Sequence, residues 1–182
     1  YMGLLSFTAP TNMAFLAGST LSAGVMNGYD AGNVVNKTSW YIGGTANTPI
    51  TGVKVGAAFD YVDLYDNTIG GRAHGSGYQG AAGLYLAWQA NEKMGLYTRG
   101  EYFWQSAYLS DNALASGAGI IGKSIYEVTE TLQYDLWKNV LARLEFRWDH
   151  AEHGNAFGGT DTTAAPAANN AFLLAANFIY KF

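Results

Sequence analysis

The sequence predicts an all-β fold, a transmembrane antiparallel up-and-down β-barrel, on three observations. Apolar and polar residues alternate with period two along the chain, the connections between segments alternate in length, and the composition is aromatic and poorly charged. Nine amphipathic segments are legible within a single domain over residues 1–182, eight of them full strands and the first a partial one.

Taken in order, residues 1–9 look like the end of a strand that turns at Ala9-Pro10-Thr11-Asn12. The segments 12–27 and 38–47 carry small residues on both faces and alternate weakly. In 51–65, Val53, Val55, Ala57, Phe59 and Tyr61 oppose Lys54 and Asp60. In 77–90, Tyr78, Ala82, Leu84, Leu86 and Trp88 oppose Gln79, Tyr85 and Gln89. In 93–108, Met94, Leu96, Tyr102 and Trp104 oppose Tyr97, Arg99, Glu101 and Gln105. Segment 123–137 places Glu127 on the charged side and Glu130 among the apolar positions, between Val128 and Leu132.

The clearest alternation lies in 139–152, where Val140, Ala142, Leu144, Phe146 and Trp148 interleave with Leu141, Arg143, Glu145, Arg147 and Asp149. On a helix those charges would spread around the circumference, whereas a strand gathers them on one face. The last segment, 169–182, puts Phe172, Leu174, Ala176, Phe178, Tyr180 and Phe182 on one side. Paired residues must share a face. A two-residue turn at Lys138-Asn139 would pair odd with even positions, so the turn must hold an odd number of residues or a bulge must intervene.

Short links are expected near 10–11, 48–50, 91–92 and 138, and long ones at 28–37, 66–76, 109–122 and 153–168. Outer-membrane barrels have short periplasmic turns and long extracellular loops. That rule puts the C-terminus in the periplasm. Aromatic side chains then sort into two membrane girdles, with Trp88, Tyr134, Tyr180 and Phe182 near the periplasmic rim and Trp40, Tyr61, Tyr78, Trp104, Tyr126 and Trp148 nearer the outer one.

Only 13% of residues are charged, against roughly twice that in a soluble domain. No apolar run reaches the roughly 18 residues of a membrane-spanning helix. A net charge of −4 offers no basic footprint for nucleic acid. The absence of Cys removes thiolate catalysis, zinc ribbons and covalent haem attachment, and no cofactor is expected.

The inward charges Lys54, Asp60, Arg99, Glu101, Glu127, Arg143, Glu145, Arg147 and Asp149 are the functional candidates. In a narrow barrel they would fill the interior; in a wide one they would border water and act on passing ions. Arg143, Glu145 and Arg147 make a ladder of alternating sign, suited to mutual neutralisation or to weak ion selectivity. Glu130 would face lipid, at a cost of a few kcal/mol if charged at mid-depth. A homo-oligomer interface, as in a trimer, would account for it. His74, His150 and His153 all lie at or beyond the outer rim, where His150 and His153 could cluster with Asp149, Glu152 and Asp161. No nucleophile and base accompany them, so neither catalysis nor a metal site is expected. YDAGN (29–33) and GGTDT (158–162) lack a full calcium ligand set.

Two stretches carry a family resemblance. In 126–149, Leu132, Tyr134, Trp137, Asn139, Arg143, Glu145, Phe146, Arg147, Trp148 and Asp149 are arranged as in the penultimate hairpin of the OmpL-like β-barrel porins; residues 3–30, with Asn27-Gly28-Tyr29-Asp30, are also similar to that family. The resemblance implies an outer-membrane porin for passive diffusion of ions and small hydrophilic solutes. Residues 1–9 add a partial ninth strand where single-chain bacterial barrels have even numbers, so this chain is expected to be the C-terminal portion of a larger barrel of about 16 strands, in contact with outer-membrane lipid and lipopolysaccharide; the greater length of family members fits that expectation. The ending on Phe178, Tyr180 and Phe182 resembles the signal read by the barrel-assembly machinery. The alternative is a small closed barrel with a structural or adhesive role through its loops.

Overall fold

A computed structural model describes residues 1–30, 35–67, 75–106, 123–152, 156–157 and 168–180. Nine strands follow one another: β1 (Met2–Thr8), β2 (Thr20–Asp30), β3 (Val35–Asn47), β4 (Val53–Asn67), β5 (Gly75–Gln89), β6 (Met94–Gln105), β7 (Ser124–Trp137), β8 (Val140–Ala151) and β9 (Asn170–Tyr180). Each pairs antiparallel with the next, in one sheet ordered β1 to β9. β1 pairs with β2 along its whole length, from Met2↔Met26 to Thr8↔Thr20. β9 therefore cannot close onto β2 in an eight-stranded barrel, and the sheet is open, with β1 and β9 at its edges.

The register sorts every strand into the same two faces. Trp40, Tyr61, Gly80 and Trp104 are linked by successive pairings on one side, and Tyr41, Asp60, Ala81 and Phe103 on the other. The first side is apolar. Among the described residues the buried apolar side chains are Ala9, Leu141 and Ala151, while Leu84, Phe172, Leu174 and Phe178 are 69% exposed or more. A sheet in water would bury such residues against a second layer. Here no second layer covers them among the described residues, which suits an apolar solvent.

The parity argument at the β7–β8 hairpin is realised as a bulge. A two-residue turn at Lys138 and Asn139 closes it, and the register shifts between Asp135 and Trp137. That shift returns Glu127 and Asp149 to the same face.

Two expectations about connections fail. The β1–β2 link spans 9–19, where a tight turn at 10–11 was expected, and contains a 3-10 turn at Ala14–Leu16. Pro10 has no N–H and ends the ladder. The chain then folds compactly, with Gly18 N–H donating to Ala9 O at 2.9 Å and Asn47 Nδ2 donating to Ala17 O at 2.7 Å. The β2–β3 link, expected to be long over 28–37, contracts to 31–34 because the two strands pair as far as Asp30↔Val35. Alternation of length holds from residue 48 onward, with 48–52, 90–93 and 138–139 against 68–74, 106–123 and 152–169.

The β3–β4 turn depends on one glycine. Gly52 has φ +79°, and a Cβ there would lie 2.5 Å from the Gln89 carbonyl oxygen. Its own carbonyl accepts from Gln89 N–H at 2.8 Å. Gly52→Val is expected to cost about 2–3 kcal/mol from left-handed strain and this clash. Urea unfolding in lipid vesicles would measure it; an unchanged midpoint would show that the turn tolerates a side chain.

Candidate functional site

The polar face concentrates its charge on β6, β7 and β8. Glu101, Glu127 and Asp149 are successive cross-strand partners, forming a row of three carboxylates. The adjacent row runs Tyr85, Arg99, Thr129, Arg147. Like charges directly opposite one another destabilise a sheet, so the carboxylate row requires the arginines beside it.

Glu127 is the hub. It is 6% exposed. Arg99 Nη2 donates to both of its carboxylate oxygens at 2.8 Å, and Arg99 Nε donates to Oε1 at 3.1 Å. The Thr129 hydroxyl donates to the same oxygen, and Arg147 Nη2 lies 3.8 Å from Oε2. Arg147 also grips Asp149 in a two-pronged contact, Nη2 to Oδ1 at 2.7 Å and Nε to Oδ2 at 2.8 Å. Glu101 accepts from the Tyr85 hydroxyl at 3.1 Å and lies 3.7 Å from Arg99 Nε. Charge-assisted and bidentate bonds of this kind are the strong ones.

The expected ladder of Arg143, Glu145 and Arg147 does not form as such. Each residue finds a partner elsewhere. Arg143 Nε donates to Gln133 Oε1 at 3.0 Å, and Glu145 Oε2 accepts from the Thr131 hydroxyl at 3.1 Å. Arg147 turns toward Asp149 and Glu127. Cross-strand neighbours are closer than residues two apart on one strand, so Gln133 and Thr131, directly opposite, are reached first. Lys54 and Asp60 share the polar face but stand on β4.

On the apolar face, the aromatic side chains near the longer connections touch one another. Ring centroids of Trp40 and Tyr61 are 5.8 Å apart, Tyr61 and Tyr78 6.1 Å, Tyr102 and Trp104 5.6 Å, and Tyr102 and Tyr126 4.6 Å. Trp148 lies beside His150, with centroids 5.6 Å apart. Trp88, Tyr134, Phe178 and Tyr180 lie on this face toward the short-turn end. Phe182 is outside the described residues.

Glu130 also belongs to the apolar face, midway between Tyr126 and Tyr134, and its Oε2 accepts from the Thr98 hydroxyl at 3.0 Å. Removing both polar partners is expected to stabilise the sheet in lipid. Thr98→Val with Glu130→Leu should raise folding stability in vesicles by about 1–2 kcal/mol. A loss of stability would mean that this pair faces something other than hydrocarbon.

The histidine cluster does not assemble among the described residues. His150 Nδ1 lies 3.0 Å from Asn170 Oδ1 on the apolar face, while Asp149 is on the opposite one. His74, His153, Asp161 and the loop stretches 31–33 and 158–162 lie outside the described residues. Among those described, no group of three or more His, Asp or Glu is placed to hold a metal ion. Reading the sequence by charge missed Tyr85, Thr129 and Thr131, neutral residues that complete the network; their only signal was their place on the charged face.

A family model described as "Putative beta-barrel porin-2, OmpL-like" matches residues 45–182. That range contains the whole charged network and the 126–149 hairpin, and leaves out residues 3–30. No curated protein and no solved structure matches the chain.

Proposed function

The chain belongs to the OmpL-like family of β-barrel porins, and from that premise we propose that it forms part of an outer-membrane channel for passive diffusion of ions and small hydrophilic solutes. One observation carries the reading: on a single continuous sheet, apolar residues dominate one face and, Asp63 and Glu130 apart, the described charged side chains of the strands stand on the other. In this reading the apolar face meets outer-membrane lipid and the charged face lines a water-filled lumen.

Unpaired strand edges cannot face hydrocarbon. The open edges of β1 and β9 therefore support an arc of a wider barrel, closed by further strands whatever chain supplies them. Such a lumen would be lined by Lys54, Asp60, Arg99, Glu101, Glu127, Arg143, Glu145, Arg147 and Asp149. Their mixed signs favour weak ion preference over strict selection. The turns at 48–52, 90–93 and 138–139 would lie in the periplasm, with the compact 9–19 link at the same end, and the connections 68–74, 106–123 and 152–169 outside, near lipopolysaccharide. Trp40, Tyr61, Trp104 and Trp148 would form the outer girdle, and Trp88, Tyr134 and Tyr180 the inner one. The end of β9, with Phe178 and Tyr180, would be the part read by the barrel-assembly machinery.

Planar-bilayer recording tests the proposal. The full chain is expected to produce stepwise, voltage-independent increases in conductance on the nanosiemens scale. Insertion without current would contradict it and favour a closed, structural barrel.

A further inference from the structure

Three tyrosines on the charged face, Tyr41, Tyr85 and Tyr97, each stand two residues from a glycine on their own strand and lie over it. A Cβ built on Gly83 would come 2.7 Å from the Tyr85 hydroxyl, and one on Gly95 2.9 Å from that of Tyr97; on Gly43 it would be closer still to Tyr41. The rings thus run along the wall instead of standing out from it. Each of these tyrosines remains 36–39% exposed.

Tyr85 and Tyr97 stand on adjacent strands and border a recess of 410 Å³, together with Arg99, Thr129, Thr131 and Glu145. That volume lies within the range of small-molecule sites, about 300–1,000 Å³. The lining combines three chemistries. Aromatic surface comes from the two tyrosines, hydroxyl groups from the two threonines, and one charge of each sign from Arg99 and Glu145.

We propose that this recess binds the ring of a neutral sugar passing through the lumen, an inference that rests on the porin reading above. A sugar ring has a C–H face that packs on aromatic surface and a rim of hydroxyls that both donate and accept hydrogen bonds. Tyr85 and Tyr97 supply the first contact. Arg99 and Glu145 supply the second, with the Thr131 oxygen, whose hydrogen goes to Glu145, as a further acceptor. A small anion would meet Glu145 and Glu127 as well as Arg99, and an apolar solute would strip water from charged groups without replacing it. The sugar satisfies both halves of the recess.

The test is current block in planar bilayers by sucrose, with a polyethylene glycol of equal hydrodynamic radius as the size control. Sucrose is expected to reduce the current saturably and more than the glycol does. Tyr97→Leu and Tyr85→Leu should each weaken the block by about three- to tenfold, while Tyr97→Phe, which keeps the ring, should hold it within about twofold. A cooperative urea-unfolding transition in vesicles, read separately from the current, establishes that each variant has folded. Sucrose block no greater than the glycol's, or full block retained in Tyr97→Leu, would overturn the site while leaving the channel intact. Absence of any current step would overturn the porin reading, and the site's role with it.

Discussion

Replacing Glu127 with Leu is expected to cost about 2–3 kcal/mol of stability and to move the channel's ion preference toward anions. Glu127 is buried and holds Arg99 through bonds to both carboxylate oxygens, with Arg147 close behind. Removing one member of a buried ionic group typically costs about 3–5 kcal/mol, because the remaining charge loses its partner. The arginine side chains are 38% and 39% exposed, so water recovers part of that loss. Two cations would then border the lumen with less acid beside them. Glu127→Gln should lose less, since its amide oxygen still accepts from Arg99. Urea unfolding in vesicles reads the first effect and reversal potential in a salt gradient the second. If both stay unchanged, Glu127 is not the hub described here.

The opposite change is expected from Arg99→Leu combined with Arg147→Leu. Glu101, Glu127 and Asp149 would then stand as neighbouring carboxylates on three strands with neither arginine between them. At about 5 Å, each adjacent pair repels by about 1 kcal/mol even in water-like surroundings, and more where water is excluded. The channel should become clearly cation-preferring. Its lost stability should recover in part with added salt, because screening shortens to about 10 Å at 0.1 M. Reversal potentials shifting in the same direction for both variants would contradict a role for these charges in ion preference.

How far the sequence was legible depended on contrast between its faces. β8 was legible because Arg143, Glu145, Arg147 and Asp149 alternate with Leu144, Phe146 and Trp148. From its parity alone the β7–β8 bulge could be anticipated. β2 and β3 were legible only as weak strands with blurred ends, at 12–27 and 38–47, since Ala23, Gly24, Gly43 and Gly44 give neither face a clear identity. The apolar run of Met13, Phe15 and Leu16 then passed for strand although it belongs to the folded link before Thr20.

The candidate site was legible as a set of residues and not as a set of partners. Parity assigns a face to each side chain, but which residue lies opposite depends on register, which only the paired strands define. The expected Arg143–Glu145–Arg147 ladder therefore gave way to cross-strand bonds with Gln133 and Thr131, while Arg147 took Asp149, two residues along its own strand. The three-carboxylate row was hidden for the same reason. Glu101, Glu127 and Asp149 are far apart in sequence and meet only across two pairings.

The proposal that one face of the sheet meets lipid and the other water can be tested residue by residue, because the chain contains no cysteine. Single cysteines placed from 142 to 149 along β8 in reconstituted vesicles would be challenged with a charged, water-soluble methanethiosulfonate. Positions 143, 145, 147 and 149 are expected to react, and 142, 144, 146 and 148 to be protected. Equal reaction at both sets, or reaction confined to the even positions, would contradict the account.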